Sequence, residues 1–251
     1  MDEGWTHFLF RNDGGYRIGC NPTIDNVSSP ELKLASGRNI GGRFTSTIIF
    51  PDQSPNQILN GYAKGSMPDE YTGGVGKEGV ENLKKFVETG GTLVFLNRAS
   101  NFAIEQFNLP VKDVTKGLTR KDFYIPGSIL RTELDLTHPI AKGMPQQSIA
   151  WFENSPAFEI QTDPLASVGS PTVREGAAGL TRNFRIIATY PKDPKQILLS
   201  GWALGAEKIA GKAALVEFTI GKGKIILFGF RPQYRGQSLA TFPLLFNAIS
   251  Q

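Results

Sequence analysis

The residues best suited to chemistry in this 251-residue chain lie where two apolar runs end. Phe95-Leu96-Asn97-Arg98 leads from one apolar run into a predicted helix, and Gly229-Phe230-Arg231-Pro232-Gln233 follows another. A sharp strand-to-helix turn exposes a side chain above a sheet and directs backbone N–H groups towards it. Arginines there suit a carboxylate, because a guanidinium can donate two parallel hydrogen bonds. The candidate ligand-binding residues are Asn97, Arg98, Arg231, Gln233 and Arg235.

Two alternatives accompany this prediction. Arg231 and Arg235 could instead pair with local acidic side chains. His138, which precedes Pro139, could serve as the general base of a hydrolase, as could a carboxylate in the same cleft. A base also needs a nucleophile or an orienting acid within reach, so a structural role for this histidine is the favoured interpretation. We therefore assign no catalytic residue.

Other catalytic chemistries find little support in the residue types. Gly74-Val75-Gly76-Lys77-Glu78-Gly79 fits G-x-G-x-x-G, but a long polar segment rather than a strand precedes it, which favours a loop leading into a helix. One cysteine, Cys20, and two histidines, His7 and His138, are too few for a zinc site. We predict no metal and no cofactor.

The charge and hydropathy patterns exclude two classes of partner. The 27 basic and 23 acidic residues give a net charge of +4, and the basic residues are scattered, so no nucleic-acid function is predicted. Apolar runs are far shorter than the roughly 20 residues that cross a bilayer, and residues 1–20 lack a signal peptide. The sequence predicts a soluble chain and leaves its compartment undetermined.

The elements that must position these residues alternate in the first half of the chain. A buried strand is predicted at 47–50, a helix at 77–88, a strand at 92–96 and a helix from about 100, an order typical of a parallel crossover sheet. Short strands follow between prolines and glycines, then a hairpin around 221–223 and a last helix at about 239–249. We predict an α/β, flavodoxin-like three-layer sandwich whose sheet is mainly parallel, with antiparallel additions in the second half.

The N-terminal region follows no such pattern. After a short predicted helix at 2–10, residues 11–46 are rich in turn-forming residues. We therefore divide the chain into an irregular segment 1–46, for which truncation is an open alternative, and a domain 47–251. Either Tyr16–Cys20 joins the sheet or this region packs poorly.

The order of these elements and the two strand ends resembles the class I glutamine amidotransferase-like fold. In active members the elbow bears a cysteine in G-x-C-x-G, and a late strand ends in F-H-P-E, which together supply a Cys-His-Glu triad. The resemblance places that cysteine at Asn97, the histidine at Arg231 and the glutamate at Gln233. A carboxamide offers no thiolate, and a guanidinium does not give up its proton. Glutaminase activity is therefore expected to be absent.

Several further segments resemble the amidotransferase-like domain found C-terminal to bacterial zinc carboxypeptidases of the carboxypeptidase A type. They include Met1-Asp2-Glu3-Gly4-Trp5-Thr6, Glu70-Tyr71-Thr72-Gly73-Gly74 and Asn154-Ser155-Pro156-Ala157-Phe158. The zinc motif His-x-x-Glu is absent, since Phe10 and Ala141 stand three residues after the histidines. The resemblance implies an accessory domain beside a zinc carboxypeptidase. We predict a non-catalytic module that binds such a partner domain or a small polar or anionic ligand. A homodimer formed through an exposed sheet edge is a third hypothesis.

Overall fold

The computed structural model describes residues 4–6, 9, 47–66, 68, 72–161, 172–173 and 182–250. Residues 4–6 and 9 are helical, in agreement with the helix predicted at the start of the chain. Tyr16–Cys20, for which the sequence predicted either sheet pairing or poor packing, lies outside the described residues, as does His7. The division at residue 46 stays a prediction.

The described residues form eleven strands and four α-helices in addition to the helical residues at the start. In chain order these are β1 (Thr47–Phe50), α1 (Pro55–Asn60), α2 (Gly76–Glu88), β2 (Thr92–Leu96), α3 (Ala99–Gln106), β3 (Val111–Asp113), β4 (Pro126–Leu134), β5 (Gln147–Glu153), β6 (Phe158–Ile160), β7 (Thr172–Val173), β8 (Arg182–Thr189), β9 (Leu198–Ser200), β10 (Ala213–Ile220), β11 (Gly223–Phe228) and α4 (Phe242–Ile249). The predicted α/β class is confirmed.

The sheet is mixed, and the prediction that it is mainly parallel was wrong. Its strand order is β1-β2-β11-β10-β8-β4-β5, and only β1–β2 and β2–β11 pair in parallel among ten described pairings. Parallel neighbours need a long crossover, usually a helix, and no α-helix is described between α3 and α4. With so few helices, the expected flavodoxin-like three-layer sandwich is not confirmed.

Strand β1 is less buried than the sequence predicted. All four of its residues are only partly buried, whereas every residue of β2 is fully buried. Among the described strands β1 pairs with β2 alone, so it forms an edge of the described sheet. An edge strand has a neighbour on one side only, which accounts for its exposure.

Apolar side chains cover both faces of the central strands. Leu93 and Phe95 of β2 pack in one buried cluster with residues of α2 and α3, while Val94 and Leu96 pack in another with residues of α4. Consecutive strand residues point to opposite faces of the sheet, so an apolar strand must be covered by other elements on both faces.

The predicted hairpin between β10 and β11 is confirmed, and its glycines let it pack against the end of α2. Gly221 has a φ of +58°, and a Cβ on Gly223 would lie 2.2 Å from the carbonyl oxygens of Val87 and Gly91. This contact fixes β11 beside β2. The carboxyl ends of β1, β2 and β11 consequently meet at one edge, where Asp52, Asn97 and Arg231 follow.

Candidate functional site

Asp52, which follows β1, is the centre of the site. Its Oδ1 accepts hydrogen bonds from Asn97 Nδ2 at 3.0 Å and from the Arg98 backbone N and Nε at 3.0 and 2.9 Å. Its Oδ2 accepts from Arg98 Nη2 at 2.8 Å and from Arg231 Nη2 at 2.5 Å. Burial raises the pKa of Asp52, but the hydrogen bond from Arg98 and the two guanidinium charges outweigh it and hold the pKa below its usual value. The carboxylate is ionised at neutral pH.

Asn97 occupies the turn between β2 and α3 in a left-handed conformation. Its φ is +54°, and its backbone N donates to Phe228 O at 2.8 Å, which ties the end of β2 to the end of β11. The side chain is fully buried, and Nδ2 also donates weakly to Glu153 O at 3.4 Å. The strand-to-helix elbow predicted from the sequence is therefore present, with a carboxamide at its apex.

Arg231 is held by two carboxylates. Besides its bond to Asp52, its Nη1 donates to Glu153 Oε2 at 2.8 Å. Only 7% of the residue is exposed. The alternative that Arg231 pairs with local acids is therefore what the structure shows. Asp52, Asn97, Arg98, Glu153 and Arg231 are called the Asp52 network below.

Gln233 faces the N-terminal helical residues. It is fully buried, and its Nε2 donates to Thr6 Oγ1 at 3.1 Å. Trp5 packs edge-on against Tyr234, with ring centroids 5.2 Å apart, and Trp151 stacks on the same ring at 4.3 Å. The site thus has an aromatic wall, to which the start of the chain contributes.

Arg98 and Arg235 are the cations of the site that reach solvent. The Arg98 side chain is 42% exposed even though it pairs with Asp52. Arg235 is exposed, and its Cζ lies 5.5 Å from the centroid of the Tyr234 ring. Arg235 also has a φ of +54°, and Asn154, next to Glu153, has a φ of +50°. Strained backbone of this kind is frequent at functional sites.

The five predicted ligand residues therefore divide into two groups. Asn97, Arg231 and Gln233 form a buried floor, while Arg98 and Arg235 are accessible. Sequence reasoning missed Asp52, although its place directly after a strand in Pro51-Asp52 was a usable signal. Further missed residues are Thr6, Trp151, Glu153 and Tyr234, and nothing in the sequence marks them.

His138 belongs to a different cluster. It is buried beside Glu217, with Nε2 3.6 Å from Glu217 Oε1, and Lys224 Nζ lies 3.4 Å from Glu217 Oε2. Burial raises the pKa of Glu217, but the hydrogen bond from His138 and the charge of Lys224 outweigh it and lower the pKa. His138, Glu217 and Lys224 are called the Glu217 cluster below.

The geometry leaves His138 without a free basic nitrogen. Its Nδ1 accepts from the backbone N of Ile140 at 3.2 Å, which caps the 3-10 helix that follows. Because Nδ1 is the acceptor, the proton of a neutral ring lies on Nε2 and points at Glu217. An acid does stand beside this histidine, as a base would need, but both nitrogens are engaged. The hydrolase hypothesis thereby loses its candidate imidazole base.

Other chemistry is not visible in the described residues. These contain no group of three or more histidine, cysteine or acidic side chains placed to hold a metal ion. Within the same residues, no helix has the length and apolar character that a bilayer crossing requires.

Comparison with known proteins gives structural likeness only. No protein-family model matches the chain. No curated protein matches it either. Cytoplasmic protein STM3548 from Salmonella typhimurium is similar at 14% identity over 98% of this chain and 85% of its own, with a TM-score of 0.50. This likeness shows a shared fold.

Two further solved structures are more distant. A ThuA-like protein from Bacteroides uniformis is 15% identical over 81% of this chain and 67% of its own, with a TM-score of 0.40. A GMP synthase subunit from Thermoplasma acidophilum is 12% identical over 69% of this chain and 63% of its own, with a TM-score of 0.36. Such scores are too low to support an argument about function. None of the three structures is named for a carboxypeptidase.

Proposed function

We propose that this chain is a non-catalytic, amidotransferase-like binding module that takes a small anionic ligand. The observation that supports it most is the Asp52 network, which occupies the meeting point of three strand ends. The resemblance puts the triad cysteine at Asn97 and the triad histidine at Arg231, and both side chains bond to Asp52. A buried carboxamide and a paired guanidinium offer neither a nucleophile nor a base.

The ligand would contact the accessible cations and not Arg231. Arg231 already neutralises Asp52 and Glu153, so it acts as a positioning residue. Arg98 and Arg235 both reach solvent, and Arg235 lies over the ring of Tyr234, as Arg231 does. A carboxylate that reaches either guanidinium would receive charge-assisted hydrogen bonds.

Binding of glutarate, measured by isothermal titration calorimetry against neutral glutaramide, tests the anion site. We expect glutarate to bind and glutaramide not to bind. Arg235→Ala should weaken glutarate binding about tenfold, as loss of one charged hydrogen bond predicts. Arg120→Ala is the matched control, because Arg120 also lies over a tyrosine ring, at 5.8 Å. If glutarate bound the wild-type protein and Arg235→Ala equally well, Arg235 would not belong to the anion site.

Incubation with L-glutamine tests the absence of catalysis. We expect no ammonia above the level of a protein-free control. Ammonia release that disappears in Asn97→Ala would overturn the non-catalytic assignment, because it would show that the elbow takes part in the reaction.

We also propose, on the sequence resemblance alone, that the module is accessory to a zinc carboxypeptidase. A carboxypeptidase reading frame contiguous with this gene, or a stable complex of the two purified proteins, would support the association. A gene neighbourhood without such a reading frame, together with no complex at micromolar concentrations, would count against it.

A further inference from the structure

The most exposed tryptophan of the described residues lies in an apolar strip that contains no residue of the candidate site. Trp202 is 62% exposed, Leu204 is 41% exposed and Tyr124 is 39% exposed. The backbones of Tyr124 and Leu204 are joined by two hydrogen bonds of 3.0 Å, so their side chains lie on the same face. Trp202 precedes Leu204 by two residues, and partly buried Ala203 between them packs against the core. Tyr124, Trp202 and Leu204 are called the Trp202 strip.

The strip continues into β9, which has an open edge. Leu198 and Leu199 are 37% and 43% exposed, and β9 pairs only with β4 among the described strands. The segment is firmly held, since Ser128 Oγ donates to Trp202 O at 2.7 Å and accepts from Trp202 N at 2.9 Å. Exposed tryptophan and leucine side chains on a fixed backbone are typical of protein interaction surfaces.

The charges beside the strip select the kind of partner. The adjoining segments 120–122, 192–195 and 205–208 contain five basic and three acidic side chains. Asp122 accepts from Thr119 Oγ1 at 2.6 Å and Asp193 accepts from Lys195 N at 3.0 Å, and both keep their charge, so five basic and three acidic side chains give the three segments a net charge of +2. None of the five cations forms an ion pair within the described part of the chain. They are Arg120, Lys121, Lys192, Lys195 and Lys208.

We infer that the Trp202 strip binds a protein segment whose apolar side chains are flanked by acidic residues. Carboxylates on the partner would meet the five cations, and its apolar residues would cover Trp202 and Leu204. A second copy of this chain would bring the same basic border against itself, so like charges oppose a homodimer through this strip. The strip shares no residue with the candidate site, so this inference does not depend on the proposed anion site.

Two synthetic peptides test the inference. Both carry the core Leu-Val-Phe-Val-Leu, one with three glutamates at each end and the other with three lysines. We expect the glutamate peptide to bind the full chain at least tenfold more tightly than the lysine peptide, and more weakly as salt rises. Binding should shift tryptophan emission to shorter wavelength, because Trp202 becomes covered.

Trp202→Ala should abolish binding of the glutamate peptide, while Leu136→Ala, which removes a side chain exposed to 49% elsewhere, should leave it unchanged. Equal binding of the two peptides, no binding of the glutamate peptide, or unchanged binding by Trp202→Ala overturns the inference. So does sedimentation of the free chain as a dimer that Trp202→Ala dissociates, since the occupant would then be a second copy.

Discussion

The Asp52 network and the Glu217 cluster are both buried ionic groups on one sheet, yet they are built differently. Asp52 accepts five hydrogen bonds, between 2.5 and 3.0 Å long, from Asn97, Arg98 and Arg231. Glu217 has His138 Nε2 at 3.6 Å and Lys224 Nζ at 3.4 Å, and its Oε2 has no hydrogen-bond partner within the described residues. The carboxylate of Asp52 has its hydrogen-bonding capacity filled, whereas the carboxylate of Glu217 keeps one oxygen without a hydrogen bond.

The difference follows from where each carboxylate lies. Asp52 lies beyond the end of β1, where the backbone N–H of Arg98 and side chains from the ends of β2 and β11 converge. Glu217 lies within β10, opposite Ile226 of β11, where the backbone groups are already used by the ladder. In both cases burial raises the pKa of the carboxyl, and hydrogen bonds together with neighbouring cations outweigh that rise. Two carboxyl groups whose pKa values are both lowered can therefore differ widely in how much stability is lost when the charge is removed.

Asp52→Asn should produce the largest loss of stability. Arg98 and Arg231 would then share a neutral amide, and Arg231 would remain buried with Glu153 as its main partner. Breaking a buried ion pair in this way costs about 3–5 kcal/mol. The measurement is the free energy of unfolding in urea at pH 7.

Asp135→Asn is the matched control for that experiment. Asp135 pairs with Arg185 at 3.1 Å, but both side chains are more than one third exposed. Exposed pairs contribute about 0–1 kcal/mol, so this variant should unfold near the wild-type midpoint. Similar losses for Asp52→Asn and Asp135→Asn would mean that the Asp52 network is no stronger than a surface ion pair.

Acidification should remove the contribution of Asp52 even without a mutation. Its pKa in the folded state lies below the usual 3.8, so the stabilisation is complete at neutral pH and is lost as pH falls through the folded value. The gap in unfolding free energy between the wild-type protein and Asp52→Asn should therefore be constant from pH 7 to about 5 and should narrow below about 4. Because Glu217 titrates in both proteins, its contribution cancels in this difference. If this difference in unfolding free energy widened on acidification, the pKa of Asp52 would not be lowered in the folded state.

Glu217→Gln should cost less than Asp52→Asn. The amide oxygen can still accept from His138 Nε2, and Lys224, whose side chain is 34% exposed, can turn towards water. We expect a loss of about 1–2 kcal/mol in unfolding free energy, the range for a charged hydrogen bond that becomes neutral. Glu133→Gln, an exposed change on β4, which β8 separates from β10, should have almost no effect. A loss as large as that of Asp52→Asn would remove the contrast between the two regions.

The sequence predicted most elements because their patterns are local. The apolar run of β2, the helical spacing of α2 and the glycine hairpin each report on a few neighbouring residues, and each is confirmed. The parallel character of the sheet was overestimated, because strand direction depends on connections and not on the strand itself.

The candidate site was predicted only in part, for a similar reason. Strand ends signal that a side chain will reach the carboxyl edge of a sheet, which located Asn97, Arg98 and Arg231. Glu153 comes from β5, which is remote from β2 and β11 in the strand order, and no sequence pattern records that its carboxylate meets Arg231. The sequence therefore predicted the cations and missed the anions that neutralise them.

The smallest predicted effect separates backbone strain from hydrogen bonding at Asn97. Asn97→Gly and Asn97→Ala both remove the bond from Nδ2 to Asp52, but only alanine must place a Cβ in a left-handed conformation with a φ of +54°. That conformation costs about 1 kcal/mol for alanine, so Asn97→Gly should be the more stable variant by this amount in urea unfolding. The same pair at Asn108, which has a φ of +48° and lies outside the Asp52 network, should show the same gap. A difference in stability between the glycine and alanine variants at Asn108, without one at Asn97, would mean that the backbone of the elbow relaxes once the carboxamide is removed. The Asp52 network itself would then hold Asn97 in its left-handed conformation.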